Sequence, residues 1–381
     1  MNDQRMRFSV VLFGFLLVLA LAACQEAAQQ SLVQPMEQPP DLTGILSFDV
    51  GSDSGRVETL AIIIGDGGTG PYKAILSGNP GLPTHAIYRP QDLSPFGEDL
   101  KLPIVAFGNG GCRNSSGEFR NFLSDIASHG FLVVAIGPAG NAAVMGAEEM
   151  VGTTKASQLL DGVDWATKEN SRQKSEYYGK IDPSKVAVMG QSCGGGQAIT
   201  VSGDPRVTTS VILNSASRRR LVSSANVATD SERPNARGEY GRPGETENLF
   251  EGLNRLARRY NPNAEPMTLS RLDEDTNQSD PLQKLHSPIA YIHGGPSDLA
   301  FPRAKADFDD IQNVPVFLAY QDVGHYPATF REPNGGAFAV AVSAWLKWQL
   351  RGDQTAAKMF VGSECGLCTD PKWTIQKKGI Q

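Results

Sequence analysis

The chain has 381 residues, 40% of them hydrophobic, and 35 Lys and Arg stand against 41 Asp and Glu, a formal charge of −6. That balance, with Arg218-Arg219-Arg220 as a short and isolated basic cluster, excludes a nucleic-acid-binding surface. The length suits one large α/β domain carrying an insertion.

The first residues read as a targeting segment. Arg5 and Arg7 precede an apolar stretch over 8–22 that is too short for a comfortable membrane span. Leu21-Ala22-Ala23-Cys24 resembles the lipobox of bacterial lipoproteins. This predicts a lipoprotein signal peptide over 1–23 and a lipidated Cys24, which anchors the protein to a bacterial membrane in the cell envelope. Gln25 in second place favours outer-membrane sorting in this class of signals. The alternative is an ordinary signal peptide and a secreted protein. Residues 24–42 are rich in Gln, Ala and Pro and read as a flexible tether. The domain is expected over 43–381.

A strand is predicted over 59–64. The Gly65-to-Gly70 run after it matches the dinucleotide fingerprint formally, but Pro71, Gly78, Pro80 and Gly81 leave no helix to open on its last glycine. An extended pair follows at 72–74 and 85–90. Apolar runs at 103–108 and 131–136 read as buried strands, with an amphipathic helix over 119–128 between them. Helical spacing recurs over 154–167. The run 185–189 is a strand that meets Gly190-Gln191-Ser192-Cys193-Gly194, and a helix is expected over 197–201. Further strands fall at 207–213, 288–293 and 315–319, with helices over 303–311 and 338–350. This alternation predicts a mostly parallel central sheet with helices on both faces, which the order of the site residues below narrows to an α/β-hydrolase fold. After the strand ending near residue 214, the stretch 217–284 loses the pattern, save for a helix over 249–260. It reads as an insertion, either surface decoration or a cap over the site. The tail, 355–381, carries a C-x-x-C.

Gly190-to-Gly194 fits the G-x-S-x-G nucleophile elbow, in which a strand-to-helix turn lifts the serine hydroxyl clear of the sheet. In a glycine- and serine-rich chain the five residues alone are weak evidence; the strand before them and the helix after them carry more weight. A serine nucleophile needs a base, and the base needs a carboxylate to orient it. Five histidines are available: His85, His129, His286, His293 and His325. Only His293 and His325 follow Ser192 at carboxyl strand ends. His325 is preferred because Asp298 precedes it in a strand-end loop, giving the order Ser192, Asp298, His325 found in α/β-hydrolases. His293 is expected to pack or hydrogen-bond within the acid loop. No cofactor is expected, and no metal, since no histidine lies near either cysteine pair.

At these residues the chain resembles a known family. Gly70-Pro71-Tyr72, Ala86-Ile87-Tyr88-Arg89-Pro90, Ala127-Ser128-His129-Gly130-Phe131, Tyr178-Gly179-Lys180-Ile181-Asp182, the elbow with Val188 and Gly195, and Ala344-Trp345-Leu346 are similar to the bacterial cutinase-like polyesterases. That group includes the polyethylene-terephthalate hydrolases and is related to the dienelactone-hydrolase and platelet-activating-factor-acetylhydrolase clan. The resemblance implies an oxyanion hole made by the backbone N–H groups of Cys112 and Cys193. The family carries aromatic residues or Met at these two positions. It also carries an aromatic clamp after the strand that ends here in Leu213-Asn214-Ser215-Ala216, where this chain has none. Donors converging on one oxygen bring their Cα atoms within disulfide range, and export supplies an oxidising compartment. The resemblance therefore leads to a Cys112–Cys193 disulfide clamping the oxyanion hole, with Cys365 and Cys368 pairing in the tail. The expected protein is a monomeric serine carboxylic-ester hydrolase. The alternatives are a non-catalytic binding lipoprotein on the same fold and a lipase- or phospholipase-type acyl hydrolase.

Overall fold

The computed structural model describes residues 45–52, 55–143, 154–217 and 280–380. The signal peptide expected over 1–23, Cys24, the tether expected over 24–42 and the helix expected over 249–260 lie outside them, as does most of the expected insertion. No helix among the described residues is long and apolar enough to cross a membrane.

Eleven strands form one sheet in the order β1-β2-β3-β4-β6-β5-β7-β8-β9-β10-β11. They are β1 (Ile45–Ser52), β2 (Gly55–Ile62), β3 (Ala74–Ser77), β4 (His85–Pro90), β5 (Leu102–Gly108), β6 (Leu132–Ile136), β7 (Ile181–Gln191), β8 (Val207–Leu213), β9 (Ile289–His293), β10 (Val316–Tyr320) and β11 (Thr374–Lys378). The six central strands, β6 to β10 in space, run parallel. Antiparallel pairs flank them on both sides. The helices named below are α1 (Arg120–Ser128), α2 (Ala139–Ala143), α3 (Ser157–Ser171), α4 (Cys193–Val201), α5 (Phe301–Asp310) and α6 (Gly336–Arg351).

The strands read as continuous apolar runs because both faces are covered. Alternate side chains still sort between the faces, as the two-residue strand period requires. Val105, Phe107, Ala187, Met189, Val211 and Leu213 pack with α1 and α6 through Phe122, Ile126, Phe338 and Trp345. Ile104, Ala106, Val186, Val188 and Ile212 pack on the other face with α3, α4 and α5 through Leu159, Val163, Ile199 and Phe308. With two hydrophobic layers fixing the sheet, the loops at its carboxyl edge are the parts free to carry chemistry.

The helix after the elbow begins at Cys193, earlier than its composition suggests, and takes in Gly194, Gly195 and Gly196. Glycine is a poor helix former, so packing has overridden propensity here. A Cβ on Gly194 would overlap the Gly108 carbonyl at the end of β5, and one on Gly190 would overlap the Gly194 carbonyl. The close approach of α4 to two strand ends requires these glycines.

Candidate active site

Ser192 sits between β7 and α4 at φ 52°, ψ −118°, a conformation uncommon for a residue with a Cβ. Its N–H donates to the Leu213 carbonyl at 2.9 Å, fixing the turn against β8. Its Oγ lies 2.8 Å from His325 Nε2, and His325 Nδ1 lies 2.6 Å from Asp298 Oδ1. Asp298 follows β9 and His325 follows β10, so the ends of β7, β9 and β10, with β8 between the first two, deliver the three groups.

The two loops are locked to each other. The N–H groups of Val323 and Gly324 both donate to the Gly294 carbonyl, at 3.0 and 2.9 Å. Ser297 donates from its N–H and its Oγ to Asp322 Oδ1, at 2.9 and 2.6 Å. Gln191 Nε2 donates to the His325 carbonyl at 3.0 Å, tying the base loop to the elbow strand.

Asp298 is 1% exposed. Burial raises the pKa of a carboxyl group, but His293 and His325, through hydrogen bonds and charge, outweigh it and hold Asp298 well below the usual carboxylate range. Its Oδ1 also accepts from the Ala300 N–H at 2.9 Å, and its Oδ2 from Asn214 Nδ2 at 2.8 Å. His293 Nδ1 lies 3.0 Å from Oδ2. The carboxylate is thereby kept ionised where it faces the base.

The remaining histidines do other work. His85 is buried with Nε2 2.9 Å from the Gln158 carbonyl. His129 stands 3.7 Å from Asp125 on α1, and His286 lies near the Val207 carbonyl. Only His325 reaches Ser192. No group of three metal-ligating side chains is assembled among the described residues.

Cys112 lies in the loop after β5 at φ 50°, and Cys193 opens α4. The two are disulfide-bonded, with Cα atoms 5.1 Å apart. The loop is braced from both sides. Asn109 donates through Nδ2 to the carbonyls of Arg113 and Ile136, and its own carbonyl accepts the Gly194 N–H at 3.0 Å. Thr154 Oγ1 donates to the Cys112 carbonyl at 2.8 Å, and Gln197 on α4 donates to the Thr154 carbonyl. Cys365 and Cys368 form the second disulfide, with Cα atoms 4.9 Å apart.

The supporting residues Gln191, Asn214 and Ser215 carry no motif signal. Asn214 alone offers a hint: it follows β8 directly at φ 47°, where Asn is tolerated better than most residues. Around the triad, Leu299, Val323 and Tyr326 stand exposed, and the Tyr326 ring lies 4.7 Å from that of His325, edge to face.

Residues 74–229 match the PETase family model, described as PET hydrolase-like. No curated protein matches the chain. The matched segment holds Cys112, Ser192 and Cys193; Asp298 and His325 lie beyond it and stand on the geometry above. Over that segment the chain is similar to the PET hydrolase-like family, whose members are α/β-hydrolases related to the cutinases.

Proposed function

We propose that the protein is a lipid-anchored serine carboxylic-ester hydrolase of the bacterial cell envelope. One observation carries the chemistry: the unbroken hydrogen-bonded chain from Ser192 through His325 to Asp298. In this reading Ser192 Oγ attacks the ester carbonyl while His325 Nε2 takes its proton. Asp298 fixes the tautomer of His325 and stabilises the imidazolium that forms. The N–H groups of Cys112 and Cys193 receive the oxyanion of the tetrahedral intermediate. His325 then returns the proton to the leaving alcohol, and water repeats the cycle on the acyl-enzyme.

The test is a panel of esters from acetyl to long-chain and feruloyl, run with a fluorophosphonate probe. Hydrolysis together with labelling of Ser192 is expected. A folded protein that neither labels nor hydrolyses any ester would leave a binding protein on a hydrolase fold. Anchoring rests on Leu21-Ala22-Ala23-Cys24. The wild type expressed in a bacterium should enter the detergent phase on phase partitioning, and Cys24→Ser should move it to the aqueous phase. Equal partitioning of the two would remove the anchor.

A further inference from the structure

His293 is the last residue of β9 and is fully buried. Its two ring nitrogens face two residues. Nδ1 lies 3.0 Å from Asp298 Oδ2, on the carboxylate oxygen that His325 does not use. Nε2 lies 2.9 Å from the Ser215 nitrogen and 2.8 Å from the Ser215 carbonyl oxygen. With the proton on Nδ1, the ring points an N–H at the carboxylate, and Nε2 accepts the Ser215 N–H. With the proton on Nε2, the lone pair of Nδ1 would face an anion and the Ser215 N–H would face another N–H. The first arrangement leaves the Nε2 lone pair 2.8 Å from the Ser215 carbonyl dipole. The second leaves a lone pair against a full negative charge, the larger repulsion, so the first is favoured. The Nδ1–H contact is bent away from the line to Oδ2, so its strength depends on where the ring is held. Ser215 closes the path, because its Oγ donates to the Ser192 carbonyl at 2.6 Å.

We propose that His293 is a positioning residue, a second imidazole locked as its Nδ1–H tautomer that orients Asp298 from the side opposite His325. It completes a ring of contacts running Ser192, His325, Asp298, His293, Ser215 and back to Ser192. The ring couples acid and nucleophile through the turn after β8 as well as through the base. Asp298 thus meets four donors from four places: His325 after β10, His293 at the end of β9, Asn214 after β8 and the Ala300 N–H ahead of α5. The nearby carboxylates have partners of their own. Asp322 accepts from Ser297, and Asp307 from Ser217 and Tyr291.

The kinetic arm of the test rests on the esterase reading; the spectroscopic arm does not. In protein labelled with ¹⁵N-histidine and held at pH 8, His293 should show a protonated Nδ1 and an unprotonated Nε2. An Nε2–H tautomer overturns the proposal. Among variants, His293→Asn keeps an amide near the position of Nδ1, whereas His293→Gln reaches Ser215 and loses the donor to Asp298. His293→Asn should keep kcat within about threefold. His293→Gln should lower it by about 10- to 100-fold, the scale of one hydrogen bond to a charged group, with KM little changed. In His293→Gln the acidic limb of the kcat/KM–pH profile should also move up, because a carboxylate stripped of one donor holds positive charge more tightly. Equal kcat values and coincident pH profiles for the two variants overturn the proposal. A wild type that hydrolyses no ester sinks the functional reading, and the tautomer then decides the role of His293 alone.

Discussion

A buried carboxylate is costly unless it is paired, and Asp298 takes three hydrogen bonds and faces His293 Nδ1 at 3.0 Å. In the proposed mechanism this arrangement pre-orders His325 as the base before substrate arrives. Ser192→Ala or His325→Ala should lower kcat by about 10⁴-fold with the fold intact, as in other triads. Near-wild-type turnover by a folded Ser192→Ala would remove the nucleophile assignment. The depressed pKa of Asp298 also links to stability. A carboxyl whose folded-state pKa is lowered adds stability above its unfolded value of about 4, and that stability is lost as pH falls toward the folded value. Urea midpoints measured from pH 7 down to pH 3 should therefore fall more steeply for the wild type than for Asp298→Asn, which has no such proton to take up. Parallel curves would mean that Asp298 is not the linked group.

At the scale of elements, the elbow and the loop after β5 are joined by a covalent bond between the two residues assigned to the oxyanion hole. The bridge spans 81 residues, against 3 for the tail pair, so chain-entropy arguments assign it about 4.5 kcal/mol and the tail pair less than about 2. Cys112→Ser should lower the melting temperature and should reduce kcat more than it raises KM, since these donors act mainly on the transition state. A loss confined to KM would detach the bridge from the oxyanion hole. These elements were legible in the sequence because each has a local cause. Long apolar runs mark β5, β6 and β7, and glycines forced by close approach mark the elbow. His293 was legible as a residue bonded within the acid loop, though not down to the oxygen it faces, and Asn214 was not legible at all, because contacts between strand ends leave no periodicity. The start of α4 was misplaced for a related reason: three glycines argue locally against a helix that only tertiary packing can justify.

On the whole molecule, the parallel core was foreseeable and its margins were not. β11 is one such margin, a polar run of Thr374-Ile375-Gln376-Lys377-Lys378 with little apolar alternation. It pairs antiparallel with β10 from Val316↔Lys378 to Tyr320↔Thr374. Without it, the backbone of β10 would face outward as an open edge beside the loop that carries His325. Exposed edges of apolar strands invite pairing with other chains, and lysines on an outer strand oppose it. Here Lys377 Nζ donates to the carbonyls of Phe360 and Gly362, and Lys378 Nζ to those of Asp309 and Ile311, which holds the strand down. Trp373 adds an apolar anchor against Phe338, with ring centroids 5.6 Å apart. Removing residues 373–381 should leave Ser192 and its partners in sequence, yet lower the melting temperature and make light scattering rise with protein concentration. Charge repulsion between exposed strands should then matter: replacing Val316 by Lys in the truncated protein would test the edge itself, but Val316 is buried and would unfold the sheet. Lys377→Glu with Lys378→Glu in the full chain is the cleaner probe. It breaks both sets of carbonyl contacts while keeping the strand polar, and it should lower the melting temperature by less than the truncation does. A truncated protein that stays monodisperse and melts with the wild type would show that β10 needs no cover.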